Sequence, residues 1–351
     1  MEPNNPTYQP QENLSPQQPP KTGVVVFLKK HWFLLFLAAF ATLLLILWID
    51  GKNKTGVVED LPNLPQITYS RFPAQILSSG VPVTLPTNLS LPLRVNFYQA
   101  TPKALDREQA KALASNFAFP KEPSNISTEA VLGDHYLWLS GAQTLSVRLS
   151  PLEVKITPDS SVSLPPTEGQ LPTEQAGAEF IKNVLSLNGL LGVGVDYSQV
   201  SSLPIALGDV LEVGLTPRVE GVAVVDANPT TPLIAGYIQK DNKLYALLYR
   251  AGFEKPANPV SYPAKNTKQL QESLVSEGKI VLLGDPKTEA EILVPTAISI
   301  STVASSLLFV PQQPTTLLPI YILKGVARTD QGEVPVYIYI PSVNSKYVRA
   351  L

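Results

Sequence analysis

The strongest constraint on this chain is an uninterrupted apolar run near its N-terminus. The run extends from Trp32 to Ile49, reads WFLLFLAAFATLLLILWI, and contains no charged residue and no proline. Its roughly 18 residues make about 27 Å of helix at 1.5 Å per residue, which is close to the thickness of the hydrocarbon core of a bilayer. Trp32 and Trp48 lie at its two ends, where amphipathic rings favour the membrane interface. The run therefore predicts a single transmembrane helix that binds the lipid bilayer.

The charges around the run predict its orientation. Lys29 and Lys30 precede it and Asp50 follows it, although Lys52 and Lys54 reduce the asymmetry. The positive-inside rule then places the N-terminus in the cytoplasm and the C-terminal region in the extracytoplasmic space, so we expect a single-pass protein of the plasma membrane. A cleaved signal peptide is the alternative, but the exit sequence LWIDGKNKTG lacks a small-x-small cleavage site, which favours an uncleaved signal-anchor.

Composition excludes several classes of function for the rest of the chain. The net charge is −2, so there is no basic field of the kind that holds nucleic acid. The absence of cysteine excludes disulfides, thiolate catalysis, cysteine zinc sites and a lipid-modified cysteine. The 34 prolines and the low charged fraction of 16% favour β-structure with frequent turns over long helices.

Three short amphipathic helices are predicted from capping signals followed by an apolar periodicity. The first begins at Asp106, with Gln109 three residues later as in a capping box, and reaches Phe117. The second begins at Thr173 and presents Phe180, Val184 and Leu187 on its apolar face. The third begins at Asn266, ends before Gly278, and turns Leu270 and Leu274 inward. Alternating apolar strands surround each helix, and after the third helix they include Ile292 to Ile300 and Ser305 to Val310. KDNK at 240–243 and TDQG at 329–332 are predicted to be turns between strands.

The predicted fold class is therefore α+β. We expect a single N-terminal transmembrane helix followed by mainly antiparallel sheets, each with a short packed helix. The composition shifts divide the chain into a disordered cytoplasmic tail, the membrane flank and helix, a Pro-rich extracytoplasmic stalk, and three α+β modules. The predicted bounds of these six segments are 1–22, 23–49, 50–88, 89–170, 171–260 and 261–351.

Residue patterns that carry chemistry are sparse. His135 follows Asp134 and enters the strand HYLWL, where its alternation with Leu137 and Leu139 indicates part of a sheet face rather than a metal ligand or a catalytic base. The chain contains no GxSxG nucleophile elbow. Solvated surface is the default interpretation of the carboxylates of Asp196, Glu289 and Glu291. We assign no catalytic residue and no metal ligand.

The glycines in LNGLLGVGVDYS resemble a dinucleotide loop only superficially. Gly189, Gly192 and Gly194 follow a predicted helix rather than a strand, and their order differs from GxGxxG. We therefore interpret them as the end of the second helix and a turn, and we assign no cofactor.

The last predicted strand, VPVYIYIPSV, supplies the candidate partner-binding residues. Val336 and Ile338 alternate with Tyr337 and Tyr339, so one face is aliphatic and the other presents two tyrosines. A tyrosine face is either a binding surface, since a large ring binds at a small entropy cost, or a face that packs under another element.

The same C-terminal quarter resembles a known family. The residues that carry the resemblance are the helix in YPAKNTKQLQESLVSEGKI, then Pro319, Tyr321, Gly325 and the Pro341–Val343 end of the last strand. This pattern resembles the C-terminal module of the bacterial YycH/YycI family, which are membrane-anchored proteins with PepSY-like extracytoplasmic folds that modulate a cell-wall sensor kinase. The resemblance implies PepSY-like modules and a regulatory role without catalysis.

We therefore predict a non-enzymatic, single-pass membrane-anchored protein that binds or regulates an envelope or membrane protein through its extracytoplasmic region. Two alternatives stay open. One is an envelope hydrolase that uses two carboxylates about 5 to 9.5 Å apart. The other is a structural component of a secretion or surface assembly.

Overall fold

Antiparallel strand pairs dominate the architecture, which we describe from a computed structural model. The structure describes residues 61–64, 75–77, 80–129, 133–159, 169–204, 209–240, 242–256, 258–284, 293–311 and 315–348. The predicted tail and membrane helix, and most of the predicted stalk, lie outside these residues. Within the described part of the chain, no helix combines the length and the apolar character needed to cross a membrane. The described residues belong to one compact unit, Leu61–Leu351, and the predicted module boundaries stay a prediction.

The three helices begin at the residues that the capping signals predicted. They are α1 (Arg107–Asn116), α2 (Glu174–Leu187) and α3 (Thr267–Glu277). The carboxylate of Asp106 accepts from the Gln109 N–H at 2.8 Å, and the Gln109 side chain accepts from the Asp106 N–H at 2.9 Å. Asn266 and Gln269 form the same reciprocal pair ahead of α3. Each capping box satisfies backbone donors that the first helical turn leaves unpaired.

The strands follow the helices in groups. Before and after α1 lie β1 to β7: Gln75–Ile76, Val83–Thr84, Arg94–Gln99, Asn125–Glu129, Gly133–Ser140, Gln143–Arg148 and Glu153–Pro158. After α2 lie β8 to β13: Asp196–Pro204, Val210–Val219, Val222–Val225, Ile234–Gln239, Leu244–Tyr249 and Val260–Pro263. After α3 lie β14 to β17: Lys279–Leu283, Ala297–Val310, Thr316–Thr329 and Gly332–Pro341. The α+β prediction is confirmed in its coarser form: mostly β-structure in a mixed sheet, with three short helices.

Eight of these strands form a first antiparallel array, in the order β4-β5-β6-β7-β12-β11-β9-β8. Its two halves meet where β7 pairs with β12. Helix α2 packs on β8, β9 and β11, and two glycines allow a close approach: a Cβ on Gly236 would lie 1.9 Å from Ile181, and one on Gly177 would lie 2.9 Å from Val213. The aromatic core beneath this array includes Trp138, which is fully buried.

The buried face of α2 differs from the predicted one. Ile181 and Leu185 are fully buried, whereas Phe180 and Val184 are only half-buried and Leu187 is 83% exposed. The predicted face, Phe180, Val184 and Leu187, was therefore wrong by one position. The reason is that Gly177 removes a side chain at the point where the helix meets the sheet, so the face centred on Gly177 and Ile181 lies nearest to the strands. For α3 the prediction is confirmed, since Leu270 and Leu274 are buried.

A second antiparallel array has the order β1-β14-β17-β16-β15. The hairpin of β16 and β17 turns at Thr329–Gly332, as its turn signal predicted. Sequence patterns suggested two strands, Ile292–Ile300 and Ser305–Val310, where the structure has the single strand β15 with a bulge at Ser301. Three further strands pair with this array: β2 and β10 each run parallel to β15, and β3 pairs with β16 and also with β13.

Candidate functional site

Strand β17 has the two faces that its alternation predicted. Val336 and Ile338 are fully buried in a cluster that includes Leu270 and Leu274 of α3. Tyr339 faces the other side of the sheet and is also fully buried, with its hydroxyl donating to the carbonyl oxygen of Asp226 at 3.2 Å.

Tyr337 is half-buried on the same face as Tyr339. The Lys324 Nζ lies 5.2 Å from the centroid of its ring, within the range of a cation–π contact. The two tyrosines therefore differ: Tyr339 packs under another element, and Tyr337 is accessible.

Both tyrosines line a cleft of about 590 Å³ where the first and second arrays of strands meet. One side of the cleft is the tyrosine face of β15, β16 and β17. The other side is β10 with the segment that connects it to β11, Asp226–Leu233, and one end is closed by β8 and β9. A volume of a few hundred Å³ lies in the size range of small-molecule and cofactor sites.

A tight hairpin positions β10 beside the cleft. Glu220 and Gly221 join β9 to β10 with φ values of 51° and 80°, as a two-residue turn of type I′ requires. The Tyr98 hydroxyl of β3 donates to the carboxylate of Glu220 at 2.7 Å. Burial, together with this carboxylate, raises the pKa of Tyr98 to about 12. The phenol therefore stays protonated and holds the turn in place at neutral pH.

The charges of the cleft are unequal. Asp226 forms an ion pair with Arg250 at 3.1 Å, which neutralises its carboxylate. Arg218 donates to neutral oxygens, the side-chain oxygen of Gln199 at 2.8 Å and the carbonyl oxygen of Gly221. Within the described residues, neither Arg218 nor Lys324 has a carboxylate within 4.0 Å. Arg218 is, however, the cross-strand partner of Asp196 and attracts its carboxylate. Among the described residues, Lys324 is therefore the cleft cation without a nearby carboxylate, which favours an anionic ligand.

His135 lies on a face of the first array, as predicted, with a neighbour that sequence reasoning did not identify. Its Nε2 lies 2.6 Å from the Ser146 Oγ on β6. The distance is that of a nucleophile and its base. Asp134, the adjacent carboxylate, accepts instead from the Thr128 hydroxyl at 2.7 Å. In the described part of the chain no third group orients the Nδ1 of His135. The turn that pairs Ser140 with Gln143 sets the register of β5 against β6. It was the signal in the sequence from which the contact between His135 and Ser146 could have been found.

The other residues considered from the sequence are dispersed. Gly189 and Gly194 have φ values of 61° and 71° in the turn after α2, which confirms that these glycines end the helix and redirect the chain. The exposed carboxylate of Asp196 accepts from the Ser198 N–H and hydroxyl, which lowers its pKa. Glu289 and Glu291 lie outside the described residues. No group of three His, Asp or Glu side chains suited to a metal ion occurs among the residues that the structure describes.

The cationic part of the cleft could not be found from the sequence. Arg218 and Lys324 are separated by about one hundred residues, and no local pattern links them. They line the same cleft because β10 pairs with β15 through Val224–Val225 and Leu307–Leu308.

Comparison with known proteins yields no family. No family model matches this chain, and no curated protein matches it. Among solved structures, an uncharacterized protein from Eubacterium rectale ATCC 33656 is similar at 10% identity and a TM-score of 0.43, covering 77% of this chain and 91% of that one. The Bacillus megaterium YpeB C-terminal domain is similar at 9% identity and a TM-score of 0.32, covering 67% of this chain and 97% of that one. These are loose likenesses of fold and carry no functional assignment.

Proposed function

We propose that this chain is a single-pass, membrane-anchored extracytoplasmic protein that binds or regulates another protein at the cell envelope. The observation that supports binding is the cleft, which brings the candidate residue Tyr337 to an accessible position beside Lys324. The apolar run Trp32–Ile49 supports the anchor, and the flanking lysines support a cytoplasmic N-terminus. Tyr339 contributes by packing the cleft rather than by direct contact.

Binding, rather than catalysis, is the proposed activity. Among the described residues that line the cleft, the carboxylate is that of Asp226, and it forms an ion pair with Arg250. A carboxylate-based hydrolase would need a second carboxylate about 5 to 9.5 Å from the first. A structural role in a secretion or surface assembly is the other alternative. It would appear as a stable oligomer after detergent extraction.

The test is site-specific crosslinking in the cells that produce the protein. A photo-reactive benzoylphenylalanine replaces Tyr337 in the full chain, and the captured protein is identified by mass spectrometry. The matched control places the same group at Leu139, which is 55% exposed on β5, several strands away from the cleft. We expect one adduct from position 337 that position 139 does not give.

Equal capture from both positions, or no capture from position 337, would contradict a binding role for the cleft. Capture of a sensor kinase would extend the YycH/YycI resemblance to function.

For the orientation, we expect a protease added to intact cells, or to spheroplasts if an outer barrier exists, to digest the region after about residue 50 and to leave the N-terminal tail intact. Digestion of the tail alone would indicate the opposite membrane orientation.

A further inference from the structure

The outer edge of β15 is occupied at both ends and open between them. Near its start, Ile298 and Ser299 pair with β2, and near its end Leu307 and Leu308 pair with β10. Between these positions, the described part of the chain supplies no strand on the outer side of β15. Ser301 forms the bulge, and Thr302 to Ser306 are regular strand, about 17 Å long at roughly 3.3 Å per residue.

The pairing with β16 shows which backbone groups point outward. Leu307 faces Pro319, which has no N–H, and it pairs with β10 on its outer side, so its backbone groups are directed away from β16. In an antiparallel ladder, this orientation recurs at every second residue. The N–H and C=O groups of Ser305 and Val303 are therefore directed outward, toward the open edge.

This edge lacks the features that usually prevent strand addition. Edge strands are commonly protected by lysine, by proline or by an inward-pointing charge. The open segment of β15 reads TVASS, and apart from the bulge at Ser301 it has none of these. Ala304 and Ser305 are exposed and also line the cleft. A strand added here would therefore project alternate side chains into the cleft, toward Lys324.

We propose that the partner of this protein is bound as an extended acidic peptide segment that pairs with β15 between β2 and β10. Main-chain hydrogen bonds to Val303 and Ser305 hold the segment, as in other cases of strand addition. Its carboxylates face Lys324, which has no carboxylate within 4.0 Å among the described residues. This inference rests on the proposed function, because it names the class of partner that the cleft recognises.

The test is selection of a random octapeptide library, displayed on phage, on the full chain in detergent. We expect acidic sequences to be enriched. Affinities of the selected peptides are then measured by fluorescence anisotropy on three variants. Ser305→Pro removes the outward N–H without affecting the pairing with β16, and we expect at least a ten-fold weaker affinity. Ser305→Thr keeps the donor and serves as the matched control. Lys324→Gln should weaken binding and reduce its dependence on salt.

A second measurement does not depend on the folding of any variant. Selected peptides are N-methylated at alternate residues, either at the odd or at the even positions, which removes the N–H groups from one edge of the bound strand. Only the set of methyl groups on the edge that faces β15 should abolish binding. Equal binding to Ser305→Pro and the native chain, equal loss in both frames, or enrichment of neutral or basic sequences would each overturn the inference. So would a selection without enrichment. If crosslinking from position 337 still captures a partner, the proposed function stands while the strand-pairing inference fails.

Discussion

Replacing each of the two tyrosines of β17 separately tests the division of the cleft into packing and contact residues. Tyr339 is fully buried, and its hydroxyl donates to the carbonyl oxygen of Asp226. Tyr337, two residues earlier on the same face, is half-buried and contacts Lys324. Tyr339→Ala should therefore destabilise the fold, whereas Tyr337→Ala should weaken binding with little loss of stability.

The structure sets the expected magnitudes. Loss of a fully buried aromatic ring costs about 3 to 5 kcal/mol of unfolding free energy. Tyr339→Phe keeps the ring and loses one hydrogen bond to a backbone carbonyl, which costs about 1 kcal/mol. Tyr337→Ala loses a half-buried ring and a cation–π contact worth about 0.5 to 1 kcal/mol at an exposed site. We therefore expect Tyr339→Ala to lower the free energy of unfolding most, and Tyr339→Phe and Tyr337→Ala to lower it less.

The assay is urea unfolding of the full chain in detergent, followed by far-UV circular dichroism, with partner capture measured on the same preparations. Tyr337→Ala should unfold close to the native midpoint and lose most of the capture. Tyr339→Phe is the matched control, with nearly native stability and native capture. A Tyr337→Ala variant that unfolds as readily as Tyr339→Ala would refute the reasoning, because both rings would then be packing residues.

Three further predictions follow from packing and burial. Gly236→Ala should cost about 1 to 3 kcal/mol of unfolding free energy through overpacking against Ile181, yet it should be tolerated in an Ile181→Ala background; additive losses in urea unfolding would contradict this packing. The Nζ of the fully buried Lys265 lies 2.8 Å from the Glu277 carboxylate, so Glu277→Gln leaves a buried ammonium without its counter-charge and should cost about 3 to 5 kcal/mol of unfolding free energy; Lys265→Met removes the buried charge itself and should cost less, and an unchanged urea midpoint for Glu277→Gln would argue against the buried pair. Burial raises the pKa of Tyr321 to about 12, whereas an unfolded tyrosine ionises near 10, so the stability it contributes is present below about pH 10 and is lost as the pH rises toward 12. Tyr321→Phe should flatten that decline, as measured by unfolding at stepped pH, and an identical slope in both proteins would count against it.

Local signals in the sequence determined the elements whose causes are themselves local. The caps Asp106, Thr173 and Asn266 predicted all three helix starts, because a capping side chain satisfies donors only a few residues away. The hairpin turns at 240–243 and 329–332 were found for the same reason. Alternation in β17 correctly separated an aliphatic face from a tyrosine face.

Features that depend on distant contacts could not be predicted in this way. The segment Ser301 to Ala304 was predicted to separate two strands, because an open strand edge bears side chains that resemble a loop. The face of α2 was displaced by one position because Gly177 and Gly236 matter only once the helix lies on the sheet. The cleft combines β10, β15 and β17, and no periodicity reports such a meeting.

The placement of β1, β2 and β3 has a consequence for how the chain acquires its structure. Their partners are β14, β15 and the β13–β16 pair, so segments near residues 75–99 wait for partners made about 160 to 220 residues later. Strands β4 to β12, by contrast, pair among themselves apart from one contact of β10 with β15, and their partners are synthesised earlier. During synthesis the first array is therefore free to assemble while the early strands stay unpaired, and such long-range closure is slow. The final hairpin, β16 and β17, supplies the strands between β14 and β15, so a chain that terminates before it would leave β14 and β15 with unpaired edges that favour aggregation.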